Sequence, residues 1–223
     1  MAIQTAFLES IPYFSGLSPA ELDAIKRFIF EKTVARGETI ILEGEPAEAL
    51  FFVTAGAVKV FKTSAGGKEQ ILSIVRPGES FNDASAFDDG PNPASAQAMG
   101  PVILYGLRNT DLKTVLRNNP RITLNVIKVL AERQRQLVSL VDDLSFKHVL
   151  GRVAKILLEN TGNGRGPGPR LTQQEMAAMA GTAREVVSRS LKALEEEGAI
   201  RLERHRIIIT DKNALKGIID TPN

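Results

Sequence analysis

The strongest constraint on this chain lies near its carboxyl end, in residues 171–210, LTQQEMAAMAGTAREVVSRSLKALEEEGAIRLERHRIIIT. Two Thr-x-x-Glu sequences stand in this segment, and each predicts a capping box that bonds the free N–H groups at a helix start. They are Thr172 to Glu175 and Thr182 to Glu185. Gly181, between them, can adopt the positive φ that ends a helix within one residue. The segment therefore predicts two helices joined by a short turn, as in a helix-turn-helix.

The second predicted helix has one apolar face and one polar face. Val187, Leu191 and Leu194 are spaced four and three apart, which predicts that they are buried together. The residues predicted to contact DNA bases are on the other face: Arg184, Glu185, Ser188 and Arg189. These types suit the major groove, because a guanidinium can bond guanine O6 and N7 together and a carboxylate can accept from cytosine N4. The alternatives are that Glu185 serves only as a cap and that the face is merely solvated.

A β-hairpin wing is predicted after this helix. Residues 199–202 and 206–210 are apolar-rich runs separated by the charged turn 203–205. The side chains predicted to contact the DNA backbone are Gln173, Thr182, Lys192, Arg204 and His205. Residues 147–223 hold 13 Lys and Arg against 9 Asp and Glu, whereas the rest of the chain holds 15 against 17. This polarity permits a phosphate-binding region attached to a more neutral one.

Composition excludes several classes of function. The 223 residues contain no cysteine, which rules out disulfides, thiol switches and cysteine-ligated iron–sulfur clusters. No apolar run is long enough to span a membrane, and the first residues lack the order of a signal peptide, so a cytoplasmic protein is expected. A hydrophobic content of 43% can support two domains.

The first half of the chain has the pattern of an antiparallel β structure. A helical stretch, Pro19 to Phe30, precedes short apolar-rich segments between residues 36 and 107, and glycines punctuate them every seven to twelve residues. This pattern predicts a jelly roll or barrel. Both histidines, His148 and His205, lie downstream, so neither a catalytic residue nor a metal site is predicted there, and no enzyme is expected. A metal-free jelly-roll enzyme with a regulatory carboxyl-terminal domain remains the alternative.

A long helix is predicted between the two regions. A short helix over 111–118 is followed by Pro120, which fits the first turn of a helix that reaches about Asp142. Its apolar strip has alternating spacings of four and three: Val126, Leu130, Arg133, Leu137, Leu140 and Leu144. Such a narrow strip predicts a coiled-coil dimer, or else packing on the chain's own β domain. The pair Asp142-Asp143 is a predicted hinge.

The predicted fold class is α+β with three parts. Residues 1–110 form a β-roll sensor domain, 111–144 the short helix and the dimerisation helix with its hinge, and 145–223 a winged helix-turn-helix. A loop is expected over 161–170. In a twofold dimer, two recognition helices would enter successive major grooves about 34 Å apart. We therefore predict a homodimer that binds double-stranded DNA.

From Tyr13 to Ile209 the chain resembles the CRP/FNR family of bacterial transcription regulators. The resemblance rests on a glycine-punctuated β-roll, a long helix and a winged helix containing REVVSRSLKALEEEGAI. It implies a roll like a cyclic-nucleotide-binding domain and base contacts by Arg184, Glu185 and Arg189. It also implies a palindromic site with TGTGA-like or TTGAC-like halves, between which the residues do not choose. By family analogy, Asn160 to Pro169 would contact RNA polymerase.

The sensor half departs from the cyclic-nucleotide binders of this family. Their ribose-holding Gly-Glu pair falls here on Asn82-Asp83, and their phosphate-holding Arg-Ser pair falls on Pro93-Ala94. Without its guanidinium, a buried phosphate would be poorly compensated. The places that bond adenine fall on the apolar Leu137 and Val138. The resemblance therefore argues against cyclic AMP in the usual mode. A histidine-ligated haem is not expected either, because the roll contains no histidine.

An effector pocket is predicted between the roll and the long helix. Its candidate residues are Phe81, Asn82, Asp83, Phe87, Pro93, Ala94, Met99, Leu137, Val138 and Val141. Two alternatives stay open: an unidentified small effector binds there, or these residues are ordinary core and the abundance of the protein controls its action. A further alternative is a ligand-binding interaction module whose winged helix binds protein. The cofactor is left unknown.

Overall fold

A computed structural model describes residues 3–160, 171–203 and 206–219. The chain divides into two compact units. Unit 1 comprises Met1–Lys62 and Leu72–Gln136, and unit 2 comprises Thr63–Ile71 and Leu137–Asn223. Both units therefore share the long helix, and unit 2 includes a short segment from the first half of the chain.

Besides one short 3-10 helix (Pro12–Phe14), the first 146 residues supply five α-helices and eight strands within the described part of the chain. In chain order they are α1 (Thr5–Ser10), α2 (Pro19–Lys26), β1 (Ile29–Val34), β2 (Thr39–Ile41), β3 (Ala49–Ala55), β4 (Val58–Thr63), β5 (Glu69–Val75), β6 (Ser80–Phe81), α3 (Asp83–Asp88), β7 (Ser95–Ala98), β8 (Val102–Arg108), α4 (Asn109–Asn118) and α5 (Pro120–Phe146). The strands form two four-stranded sheets, ordered β1-β8-β3-β6 and β2-β7-β4-β5. The predicted β-roll is confirmed.

Strand β3 explains how the roll packs, because its residues are buried on both faces. Leu50 and Phe52 join a core that includes the amino-terminal helices. Phe51 and Val53 point the other way, into the core between the sheets, where Phe51 stacks on Phe81 with ring centroids 5.4 Å apart. Successive strand residues face opposite sides, so a continuous apolar run marks a strand covered on both.

Strand β1 corrects the prediction for the amino-terminal region. The predicted helix over Pro19 to Phe30 ends at Lys26, and β1 pairs antiparallel with β8 from Ile29 to Val34. From Phe30 to Val34 the burial of β1 alternates, with Phe30 and Val34 in the core between the sheets and Glu31 and Thr33 exposed, as expected of a strand with one solvated side. Ile29, at the start of the strand, is buried in the other core of unit 1. The short period-two pattern of β1 was available in the sequence but adjoined a helical one.

Unit 2 contains the predicted winged helix-turn-helix, and this part of the fold class is also confirmed. Its further elements are α6 (Val149–Asn160), α7 (Gln173–Ala180), α8 (Arg184–Glu196), β9 (Ile200–Glu203), β10 (Arg206–Ile209) and α9 (Lys212–Ile219). Val187, Leu191 and Leu194 of α8 are buried in a core that also holds Val153 of α6 and Met176 of α7. The apolar face predicted for the second helix is thus the buried one.

The predicted hinge at Asp142-Asp143 is wrong, because α5 continues through both residues to Phe146. The Asp143 carboxylate accepts bonds from Lys147 Nζ at 2.7 Å and from Lys155 Nζ in α6. Burial alone would raise the pKa of Asp143, but the bonds from the two lysines outweigh it and hold that pKa below its usual value. Asp143 therefore fastens the end of α5 to α6.

The predicted apolar strip of α5 is used, in its first half, inside the chain. Val126 is buried in the core of unit 1, Leu130 packs against that core, and Arg133 pairs with Asp83. These three residues pack within unit 1, as in the alternative of packing on the chain's own β domain. Of the rest, Leu140 and Leu144 are half-buried, while Leu137 is exposed.

A second apolar strip on α5 is exposed. Its large residues are Leu124, Ile127, Val138 and Val141, with exposed fractions of 62%, 57%, 64% and 63%. Ile127, Val138 and Val141 each follow a residue of the predicted strip by one position, or about 100° around the helix. Helix α5 thus has a second candidate strip for a partner helix beside the predicted one.

Candidate nucleic-acid interface

Helix α7 begins with the capping box that the sequence predicted. Glu175 N donates to Thr172 Oγ1 at 3.1 Å, and Thr172 N donates to Glu175 Oε2 at 2.7 Å. The reciprocal bonds satisfy two N–H groups that a helix start leaves open. The start of the helix-turn-helix is therefore fixed by local bonds.

The turn between α7 and α8 depends on Gly181, whose φ is +64°. A Cβ at this position would lie 2.9 Å from Leu144 Cδ2 and 3.2 Å from Gln70 Oε1, so both backbone and space favour glycine. Helix α8 then begins at Arg184, with Ala183 as its N-cap and no side-chain capping bond.

The capping box predicted at Thr182 and Glu185 is therefore wrong. The helix starts one residue later than that motif requires, which places Val186, and not Glu185, at the third helical position. Glu185 keeps a first-turn position, where the positive end of the helix dipole favours a carboxylate. The competing capping role of Glu185 is removed, and its carboxylate is available for another purpose.

Four of the side chains on the polar face of α8 are exposed, and the fifth is half-buried. The exposed ones are Arg184, Glu185, Arg189 and Lys192, and the half-buried one is Ser188. Glu185, Ser188, Arg189 and Lys192 lie away from the stripe that α8 buries, and Arg184 is exposed at the first position of the helix. The face predicted to contact DNA bases thus forms one accessible surface, which we call the recognition face.

The predicted backbone contacts fall into two groups. Gln173 and Thr182 are half-buried near the starts of α7 and α8, whereas Arg204 and His205 lie outside the described residues. Sequence reasoning passed over two exposed cations of the wing strands, Arg201, which pairs with Glu203 at 3.1 Å, and Arg206. Their signal was a cation beside apolar strand residues, since Arg201 stands between Ile200 and Leu202 and Arg206 begins the run 206–209.

The wing is joined to α8 by side-chain bonds. Leu202 N donates to Glu195 Oε1 at 2.7 Å, and Thr210 Oγ1 donates to Gly198 O at 2.5 Å. Strands β9 and β10 pair antiparallel, with Arg206 opposite Glu203. These bonds hold the hairpin to the carboxyl end of the recognition helix.

In unit 1, Asp83 stands at the position of the family's ribose-holding acid and belongs to a buried polar cluster. Asp83 accepts bonds from Tyr13 OH and from Ser80 Oγ, the latter at 3.0 Å, and pairs with the guanidinium of Arg133. Arg133 also donates to Ser80 O and Oγ. Burial raises the pKa of Tyr13 and lowers that of Arg133. Asp83 is therefore held by groups of its own chain.

The other predicted pocket residues of unit 1 have varied surroundings. Asn82 has a φ of +68° and donates through Nδ2 to Ala49 O at 3.1 Å. Phe81 is part of the core between the sheets, and Phe87 packs against the core beneath the helices. Ala94 is buried, Met99 is half-buried and Pro93 is exposed.

Three pocket candidates belong to unit 2. They are Leu137, Val138 and Val141, and more than half of each side chain is exposed. A surface cleft of about 270 Å³ lies elsewhere, in unit 1 between α2 and α4, with Ala24, Phe28 and Val115 in its wall. The predicted pocket residues do not line that cleft.

Two other features are absent from the described ranges. Across 3–160, 171–203 and 206–219, no three His, Asp or Glu side chains are grouped so as to hold a metal ion. In the same ranges, no helix has both the length and the apolar character needed to cross a membrane.

Comparison with known proteins agrees with the two-part fold. A cyclic nucleotide-binding domain model matches residues 31–119, and a Crp-like helix-turn-helix domain model matches residues 151–218. The chain is 37% identical over 195 residues to the cyclic AMP receptor protein of Thermus thermophilus, covering 87% of this chain and 90% of that protein. It is 33% identical over 209 residues to the CRP-like cAMP-activated global transcriptional regulator of Mycobacterium tuberculosis, covering 91% and 93%.

Solved structures give the same result. The catabolite activator protein of Thermus thermophilus is 36% identical, with a TM-score of 0.56 over 93% of this chain and 98% of that one. FixK2 from Bradyrhizobium japonicum is 23% identical, with a TM-score of 0.76 over 86% and 98%, which supports the fold alone.

The matches define a transcription regulator with a helix-turn-helix DNA-binding domain. More particularly, the chain belongs to the CRP/FNR family, as its sequence predicted. These relatives are transcription regulators and not enzymes, so the alternative of a jelly-roll enzyme has no support.

Proposed function

We propose that the protein is a cytoplasmic homodimer that regulates transcription by binding an inverted-repeat DNA site through α8. The observation that carries this proposal is the recognition face, on which Arg184, Glu185 and Arg189 are exposed together. Arg184 and Arg189 would bond guanines and Glu185 would accept from a cytosine, while Ser188 and Lys192 contact nearby groups. This set of bonds suits the TGTGA-like and TTGAC-like half-sites equally.

Contacts to the DNA backbone would come from the residues around this face. Gln173 and Thr182 lie near helix starts, where N–H groups favour phosphate, and Lys192, Arg201 and Arg206 supply exposed cations. The predicted contacts of Arg204 and His205 remain part of the proposal. Such contacts fix the orientation of the protein on the duplex without selecting a sequence.

An unbiased selection from random duplex DNA tests the base contacts. Purified protein is expected to enrich an inverted repeat whose half-site centres are about one helical turn apart. Binding to the enriched site should weaken steeply with salt, because each neutralised phosphate releases counterions. Failure to enrich any inverted repeat, or partner binding that is insensitive to salt, would contradict the proposal and favour a protein-binding module.

The dimer would form through the exposed strip of α5, and not through the strip predicted from the sequence. Leu124 and Ile127 are three apart, and so are Val138 and Val141, and each residue of the second pair follows its counterpart by fourteen positions, or two heptads. These spacings fit one heptad repeat, whose a and d positions face a second helix. A second copy of this chain is the occupant that supports twofold binding to an inverted repeat.

Charge placed on this strip tests the assignment. Ile127→Glu with Val141→Glu is expected to shift the protein from dimer to monomer in sedimentation analysis, because two carboxylates would be buried in an apolar seam. Gln136→Glu, at an exposed position on the opposite face of α5, is the control and should leave the dimer intact. Unchanged dimerisation of the double variant would remove α5 from the interface.

Cyclic AMP in the usual mode does not fit this sensor unit. Pro93 and Ala94 provide no guanidinium or hydroxyl for a phosphate, and Asp83 is already bonded to Tyr13, Ser80 and Arg133. A ribose hydroxyl would have to displace these buried partners of Asp83. We therefore propose control by a different small molecule or by protein abundance, and not by cyclic AMP in that mode.

Two measurements separate these possibilities. Calorimetric titration with cyclic AMP is expected to give no saturable binding, and DNA affinity should not change when the nucleotide is added. Native mass spectrometry of the purified protein then reports dimer mass and any co-purified small molecule. Saturable cyclic AMP binding that raises DNA affinity would contradict the proposal.

Contact with RNA polymerase through Asn160 to Pro169 remains a prediction from family analogy. Most of this segment lies outside the described residues. Deletion of residues 163–167 would test it, with normal DNA binding and reduced transcription in a purified system as the expected result.

A further inference from the structure

The carboxyl end of α7 is bonded by side chains from two other segments of unit 2. The three bonds are Gln70 Nε2 to Met179 O at 3.2 Å, Arg152 Nε to Ala180 O at 2.8 Å, and Lys68 Nζ to Gly181 O at 3.3 Å. The last carbonyls of a helix have no partner within that helix. These side chains therefore satisfy three successive carbonyls just before the recognition helix.

The same turn is closely packed as well as bonded. A Cβ at Gly181 would lie 2.9 Å from Leu144 Cδ2 and 3.2 Å from Gln70 Oε1, so these two side chains pack closely against the turn. The segment Thr63–Ile71, the end of α5 and the start of α6 thus converge on one turn. A short turn held on several sides has little freedom to change the angle between α7 and α8.

We propose that Gln70, Lys68 and Arg152 are positioning residues for the recognition helix. The inference rests on the proposed function of α8 as the element that contacts DNA bases. Base contacts require a defined helix direction, whereas phosphate contacts tolerate small rotations. Lys68 and Arg152 also place positive charge beside the negative end of the α7 dipole, which adds to the hydrogen bonds.

The three side chains differ in surroundings. Gln70 and Arg152 are half-buried, whereas Lys68 is exposed, so water screens the Lys68 contact most. Arg152 also donates to Lys147 O between α5 and α6, so its removal would disturb a second place. Lys68 and Gln70 are therefore the better pair to substitute in a test.

The chain continues from Thr63–Ile71 of unit 2 into unit 1 at Leu72.

The test compares full-length Lys68→Met/Gln70→Leu with the parent protein. Amide hydrogen exchange of the free protein is expected to rise at residues 180–184, because two capping bonds are lost. Affinity for the selected inverted-repeat DNA, measured by fluorescence anisotropy, should fall about three- to thirtyfold. The ratio of specific to random-duplex affinity should fall by a similar factor, and the melting temperature should stay close to that of the parent. Lys216→Met, an exposed lysine of α9, controls for the lost charge.

Each outcome decides the inference. Lys68→Arg keeps a donor and a charge, so with Gln70 intact it should retain near-parental specificity. Unchanged exchange at 180–184 would overturn the capping contacts, and raised exchange with unchanged or increased specificity would overturn the positioning role. If the parent protein selects no DNA site, the proposed function fails, while the exchange measurement still tests the contacts.

Discussion

Asp83 in unit 1 and Glu185 in unit 2 are acidic side chains in opposite situations. Asp83 is 3% exposed, accepts hydrogen bonds from Tyr13 and Ser80, and forms an ion pair with Arg133. Glu185 is exposed on the first turn of α8 and is not engaged in a capping box. A buried carboxylate must be paired and bonded, whereas an exposed one has water. The comparison separates polar groups that the chain supplies with its own partners from groups that it leaves available to an outside partner.

The largest expected effect comes from breaking the buried cluster. Arg133→Met removes the cation beside Asp83 and is expected to lower the free energy of unfolding of unit 1 by about 3 kcal/mol, because the carboxylate stays buried without a counterion. Urea unfolding followed by circular dichroism measures this loss. Arg135→Met, which breaks the exposed pair with Glu132, is the matched control and should change stability by less than about 0.5 kcal/mol.

Equal losses for the two arginine variants would mean that the Asp83 cluster is solvated like a surface pair. Saturable cyclic AMP binding by Arg133→Met, but not by the parent protein, would have a different meaning. It would show that Arg133 competes with the nucleotide for Asp83, and the absence of the phosphate-binding Arg-Ser pair would then matter less than proposed.

The recognition face provides the opposite test. Arg189→Ala is expected to weaken binding to the selected DNA site by about 1 to 3 kcal/mol and to flatten base preference at one position in each half-site. Its effect on protein stability should be small, because Arg189 is exposed. Anisotropy titrations against the selected site and its single-base variants measure both quantities.

Arg206→Ala is the matched control on the wing. If Arg206 contacts a phosphate, its loss should weaken binding to all duplexes alike. The salt dependence of binding should also become less steep, by about one phosphate contact. Arg204→Ala should behave in the same way. Equal losses of specific and random-duplex binding for Arg189→Ala would remove Arg189 from the base contacts.

Local sequence patterns predicted one class of feature well. The Thr172 capping box, the Gly181 turn and the buried stripe of α8 depend on residues within four positions of each other, so spacing alone defines them. The family resemblance extended the prediction from these local features to the whole two-part fold. The α8 start was misjudged by one residue because Thr is a preferred N-cap and Ala is not, so local chemistry favoured Thr182 over the Ala183 cap that the structure has.

Contacts between distant residues were out of reach of spacing. The hinge prediction failed because Asp143 is bonded to Lys155, twelve residues away on another helix. The bond from Gln70 to Met179 spans 109 residues and had no local signal. The strip on α5 shows the limit most clearly, since a heptad period does not say which of two adjacent strips meets the chain's own roll.

Asp143 extends the comparison to a second buried acid, 7% exposed, which its own unit pairs with two lysines. Asp143→Asn is expected to destabilise the protein by about 1 kcal/mol at pH 7, because two charged bonds are lost. The folded-state pKa of Asp143 is depressed, so this stabilisation is fully present above its unfolded pKa of about 4 and is lost as pH falls through the folded value.

Urea unfolding at neutral pH and at about pH 3.5 checks the sign. The stability difference between the parent and Asp143→Asn should shrink on acidification, and the exposed neighbour variant Asp142→Asn should show little difference at either pH. A difference that grows as pH falls would contradict the assigned bonds.

The smallest expected effect compares two threonines that share the same sequence motif. Thr172→Ala removes a formed capping box and should lower the free energy of unfolding of unit 2 by about 1 kcal/mol. Thr182→Ala removes a hydroxyl that makes no capping bond at α8, so its stability effect should stay below about 0.5 kcal/mol, while its effect on DNA affinity reports a phosphate contact. A stability loss as large for Thr182→Ala as for Thr172→Ala would restore the second capping box. Glu185 would then return to the polar groups that the chain has already partnered, and the recognition face would lose its acid.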